Sequence, residues 1–120
     1  MIHEMRLQAI PFYKIVRGEK SIELRLYDSK RRKVQIGDSI VFSHCHGEMT
    51  ETVSVQVTAL YPFSDFETLF ENLSHASCGE SDFLSAKECA SHMRQYYSAE
   101  DEKKYGVLGI GFSVIGEVNS

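Results

Sequence analysis

Thr52 to Tyr61 is the longest alternation of polar and apolar residues in the chain, with Val53, Val55, Val57 and Ala59 on one face and Thr52, Ser54, Gln56 and Thr58 on the other. A period of two sustained over this length fits a half-buried β-strand and no helix. A strand of this kind needs neighbours for its backbone and a cover for its apolar face. The same alternation recurs at Ser21–Tyr27, where Ile22, Leu24 and Leu26 share one face and Ser21, Glu23, Arg25 and Tyr27 the other. This second strand is expected at the centre of the sheet with its three aliphatic residues buried.

Further strand signals lie at His3–Leu7, Ser39–Ser43 and Val107–Ile115, and Gly47-Glu48 marks a hairpin turn. Pro11 suits the first turn of a short helix with an apolar stripe of Ile10, Phe12, Ile15 and Val16, ended by Gly18. Ser64–Glu67 and Ser85–Glu88 have capping-box spacing, and Ser98–Lys104 forms a third helical stretch in the second half. Phe63, Phe66 and Phe70 stand at helical spacing and are read as core. Five strands with interspersed short helices predict an α+β fold. Its mostly antiparallel sheet is expected to close into a small β-barrel, as one domain over residues 1–120.

Composition narrows the function. With 42% hydrophobic and 25% charged residues the chain is ordinary for a globular domain. No apolar run reaches the ~20 residues that cross a bilayer, and the start MIHEMRLQAIPF lacks the layout of a signal peptide. Cys45, Cys78 and Cys89 are odd in number and lack CxxC spacing, so reduced thiols in a cytoplasmic protein are expected, with no membrane partner. The net charge of −4 is unevenly spread. Residues 1–44 hold nine Lys or Arg against five Asp or Glu, whereas the rest holds four against twelve. A basic segment joined to an acidic one can form a local anion-binding face, but it argues against a non-specific duplex binder.

The segment Gly18-Glu19-Lys20-Ser21-Ile22-Glu23-Leu24-Arg25 carries the chemistry. Glu23 and Arg25 are two apart on a strand and point the same way, while Lys20 enters that strand from a glycine-bounded loop. Two cations and a carboxylate cannot converge in a dry core without pairing. A wet cleft satisfies them, with Arg25 able to grip a phosphate bidentately and Glu23 able to orient Lys20 or accept from a base edge. The alternative is a solvated strand face carrying an ordinary Glu–Arg pair.

Gly-x-Lys-x-x-Glu-x-Arg after a short helix resembles the signature of ASCH domains. The likeness extends over Pro11-Phe12, Leu26-Tyr27-Asp28, Gly37-Asp38, Tyr96-Tyr97-Ser98 and Tyr105-Gly106-Val107. The resemblance implies a PUA-like barrel with a cleft beside the Lys-Glu-Arg strand and an association with RNA. One enzymatic branch deacetylates N4-acetylcytidine with a Lys, a Thr and a Glu. Lys20 matches the lysine, Glu23 stands where that branch has threonine, and Glu80 is the candidate for the distant glutamate. Another branch is described as ribonucleolytic.

The leading expectation is a binding module for RNA, a nucleoside or a nucleotide, with Lys20, Ser21, Glu23, Arg25 and Tyr27 as ligand contacts. Lys30, Arg31 and Arg32 of the run Lys30–Lys33 are candidate phosphate contacts or a solvated loop. If the chain is an enzyme, Lys20 and Glu23 are its candidate catalytic residues. A third possibility is a structural partner of another protein. His44-Cys45-His46 has no second ligand pair at standard spacing, so no metal is expected, and no cofactor.

Overall fold

The computed structural model describes residues 1–116, and they form a mixed α+β fold. The strands are β1 (Ile2–Arg6), β2 (Ile22–Leu26), β3 (Ser39–His46), β4 (Met49–Phe63) and β5 (Val107–Val114). The helices are α1 (Ala9–Val16), α2 (Phe66–Asn72), α3 (Ala86–His92) and α4 (Ala99–Tyr105), with 3-10 turns at Arg31–Lys33 and Met93–Gln95. Among the described residues the strands make one sheet in the order β1-β3-β4-β5-β2. β1 runs parallel to β3, and every other pairing is antiparallel. Among the described residues no helix is long and apolar enough to cross a membrane.

The expected barrel does not close. β1 and β2 are the two edges, with no backbone ladder between them. What spans them is a side chain: Arg25 Nη2 of β2 donates to the Arg6 carbonyl at the end of β1, at 3.1 Å. Alternation fixes which face of a strand is buried but does not fix whether two edges meet. The expectation of a central Ser21–Tyr27 strand fails for a related reason. Among the described residues β2 pairs only with β5, yet Ile22, Leu24 and Leu26 are buried as anticipated. Helices bury them in place of further strands, since all three pack in one cluster with Phe66, Leu69, Phe70, Cys89 and Met93.

The sheet therefore separates two cores. On the other face Phe12 and Ile15 of α1 pack with Ile40, Phe42, Val53, Val55, Val57, Leu108, Ile110 and Phe112. β4 serves both because the pairing with β5 shifts register between Val57 and Ala59. A bulge adds one residue and turns the following side chains to the opposite face. Leu60 thus joins the core of Val53, Val55 and Val57, while Tyr61 and Phe63 join the helical one. The trace of this switch in the sequence is Leu60, an apolar residue where the alternation calls for a polar one.

Local chemistry sets the helix ends. Asp65, one residue after Ser64, caps α2 by accepting from the Thr68 amide at 2.7 Å. Ser85 and Glu88 form the full capping box of α3, and Ser98 caps α4. α4 stops at Gly106, whose φ of 72° and approach to the Phe63 carbonyl, 3.0 Å from where a Cβ would stand, admit no other residue comfortably. On β5 a Cβ at Gly109 would lie 3.2 Å from Leu73 and 3.3 Å from Ile22, so the bare strand makes room for the helical core.

Candidate functional site

Beside the gap between the two sheet edges lies an open cavity of about 630 Å³. Its walls come from the turn after β1, from α1, from β2, from the Cys78–Glu80 segment between α2 and α3, and from the α3–Tyr97 region. Glu23 and Arg25 face it because the register places them opposite Ile110 and Leu108 of β5, while Leu24 between them faces the helices.

Glu23 organises the site. Its Oε2 accepts from Arg25 Nε at 2.7 Å, and its Oε1 lies 3.3 Å from Lys20 Nζ. Lys20 Nζ also donates to the Cys78 carbonyl at 2.8 Å. Lys20 and Glu23 are each only 6% exposed, so this triad is a buried charge network opening on the cavity. Burial alone would raise the Glu23 pKa, but the cations of Lys20 and Arg25 and their hydrogen bonds outweigh it and hold the carboxyl below its ordinary range. Burial likewise opposes the charge on Arg25, and Glu23 together with Tyr97 overcomes that and raises its pKa. Glu23 anchors two cations, one on each oxygen, and each oxygen keeps a further acceptor site. Lys20 has three ammonium protons and Arg25 five N–H groups, so each retains donor capacity beyond these bonds.

The Cys78–Gly79 backbone is a second anchor. Lys14 Nζ donates to the Gly79 carbonyl at 2.9 Å, next to the Cys78 carbonyl held by Lys20. Gly79 has φ 88°, and a Cβ there would lie 3.1 Å from Lys20 Cδ, so glycine lets the segment lie against the lysine stem. Glu80 follows on the same wall, and both its oxygens are 3.2 Å from His92 Nδ1.

Of the sequence candidates, Lys20, Glu23, Arg25 and Glu80 come together on this cavity. Ser21 and Tyr27 do not line it: Ser21 is exposed, and Tyr27 packs beside the β-core under the Arg32 guanidinium, 4.1 Å from its ring centre. Lys30, Arg31 and Arg32 also stand outside the lining. For Arg31, burial and then the like charge of Arg25 lower the pKa. Residues that sequence reasoning missed are Arg6, Lys14, His92 and Gln95, each alone among ordinary surface residues with no spacing signal.

Cys78 lines the cavity, and burial pushes its thiol up to about 12, with Lys20 opposing. Burial also raises Cys89, which sits 3.6 Å from His75 Nδ1. Iodoacetamide at pH 8 is therefore expected to modify exposed Cys45 in the native protein and to spare Cys78 and Cys89 until unfolding, as read by mass spectrometry. Rapid native labelling of Cys78 would mean that the cavity wall does not hold.

Comparison with known proteins places the chain in a family and its fold among solved structures. The family model described as ASCH domain matches residues 5–116. The crystal structure of hypothetical protein PH0355 is similar at 36% identity and a TM-score of 0.82, covering 96% of this chain and 100% of that one. The solution NMR structure of protein PF0455 from Pyrococcus furiosus is 33% identical with a TM-score of 0.71, covering 96% and 98%. An ASCH domain from Lactobacillus crispatus shares the fold at 19% identity and a TM-score of 0.59, covering 93% and 79%. No curated protein matches the chain significantly.

Proposed function

Because the chain belongs to the ASCH domain family, we propose that the cavity binds RNA or a nucleoside or nucleotide derived from it. The observation that carries this reading is the pairing of anchored cations with exposed apolar lips. Lys20 and Arg25 are held by Glu23 on one wall, while Ile10 and Tyr96, 72% and 46% exposed, line the same cavity. A nucleobase lying against Tyr96 removes aromatic surface from water, and base stacking on such a ring contributes roughly 1–3 kcal/mol. The phosphate goes to Arg25, whose remaining N–H donors match its oxygens. The volume suits a ligand of that size.

A titration tests this directly. Arg25→Ala should weaken a nucleoside 5′-monophosphate by about ten- to a hundredfold, the equivalent of a charged hydrogen bond of roughly 1.5–3 kcal/mol. The uncharged nucleoside should lose much less. Equal binding of both ligands by variant and wild type would remove the reading.

A second reading is favoured by one observation, that Lys20 and Glu80 line the same cavity. In it the chain hydrolyses an acylated nucleoside such as N4-acetylcytidine: water adds to the acetyl carbon, the C–N bond breaks, and acetate and cytidine leave. The same preparations decide between the two. A hydrolase releases acetate, and Lys20→Ala abolishes the release; a binder releases none, and Lys20→Ala only lowers affinity.

A further inference from the structure

A second, smaller cavity of about 250 Å³ adjoins the first, and Arg6, Leu7 and Gln8 line both. Its far wall is Ser43, His44 and Cys45 of β3. The turn after β1 is thus a saddle between two hollows. We propose that the small cavity is a subsite for the nucleotide adjacent to the one in the main cavity, so that the ligand is a single-stranded RNA segment of at least two nucleotides. This rests on the reading of the main cavity given above.

The chemistry of the subsite comes from His44. Its Nδ1 lies 3.1 Å from the Leu7 carbonyl, which can only accept, so Nδ1 carries a proton, and in the neutral ring Nε2 is the acceptor. The ring is held on several sides, with ring centres 5.8 Å from Phe12, 5.9 Å from Tyr13 and 5.9 Å from His46, the last in a stacked arrangement. The saddle is equally fixed, since the Leu7 amide donates to the Ser43 carbonyl at 2.9 Å. A held imidazole with an acceptor nitrogen suits an amino or imino group of a base edge, or a ribose 2′-hydroxyl. Exposed Arg6 lines both hollows, where a phosphate linking the two nucleotides would pass. The His44-Cys45-His46 segment gains a role through this arrangement, as recognition without a metal.

The test compares length series. Mono-, di- and trinucleotides of each of the four ribonucleotides are titrated against wild type and His44→Ala. In wild type the di- or trinucleotide of at least one base should bind tenfold or more tighter than its mononucleotide. In His44→Ala that gain should vanish while mononucleotide affinity stays, which also certifies that the variant is folded. Amide NMR shifts on wild type give a readout that needs no variant: the trinucleotide should shift Ser43, His44 and Cys45, and the mononucleotide should not. Mononucleotide binding that depends on Arg25 but shows no gain with length, or a gain unchanged in His44→Ala, overturns the subsite alone. Absence of Arg25-dependent mononucleotide binding overturns the main-cavity reading.

Discussion

Glu23→Ala should destabilise the protein by about 3–5 kcal/mol, the range for removing one partner from a buried ion pair. The side chain is 6% exposed and holds both Lys20 and Arg25, so its loss leaves the largely buried Lys20 ammonium without its carboxylate and bonded to the Cys78 carbonyl. Thermal unfolding followed by circular dichroism should show a melting temperature lower by roughly 10–20 °C for a domain of this size. Adding Lys20→Met to Glu23→Ala should recover part of the loss, because the double variant no longer buries an uncompensated ammonium. A double variant less stable than the single one would mean that the charges are hydrated and that the network is not the buried triad described.

The pH dependence has a definite sign. The folded Glu23 pKa is below that of the unfolded chain, so its contribution is fully present above about pH 4.3 and is lost as the pH falls through the folded value. The stability gap between wild type and Glu23→Gln should therefore be widest near neutrality and narrow in acid. A gap constant from pH 7 to pH 3 would contradict the lowered pKa.

Glu102→Ala is the second large effect, expected to cost about 3 kcal/mol from a buried amide left unpaired and a charge-assisted bond lost. Glu102 of α4 is 6% exposed, yet its Oε2 accepts from the Phe66 amide of α2 at 2.8 Å. Its Oε1 accepts from Arg94 Nη1 at 2.6 Å. One carboxylate thus joins the start of α2, the turn at Met93–Gln95 and α4, the elements that carry Tyr96 and Tyr97 to the cavity. Glu102→Gln keeps an acceptor for the Phe66 amide and should lose clearly less, and urea unfolding of both variants measures the difference. Equal stability of Glu102→Ala and wild type would show that the helical wall is held by its apolar contacts alone. Arg94 is about half exposed, so its share of the effect is small.

Much of the fold was legible because period-two alternation and helix caps are local signals. Ile22, Leu24 and Leu26 share a buried face because a strand leaves them no choice, and Ser85 caps α3 because its hydroxyl meets an amide three residues on. The convergence of Glu23 and Arg25 follows from the same geometry, as does the need for partners around them.

Tertiary structure decided what depends on chain segments far apart in sequence. The bulge at Val57–Ala59 leaves only Leu60 out of step in the sequence, which does not say where the shift falls, yet it sends Leu60 and Tyr61 into different cores. Whether β1 and β2 close a barrel is a property of two edges, and here a side chain, Arg25, links them where a ladder was expected. The remaining walls of the cavity include Lys14, the Cys78–Glu80 segment and His92, and no spacing rule links them to Lys20. The sequence alone determined that Lys20, Glu23 and Arg25 must be reconciled with one another. Packing of the helical half against β2 determined that they are reconciled in a largely buried network at the mouth of a cavity, because only the folded chain brings the Cys78 carbonyl within 2.8 Å of the Lys20 ammonium.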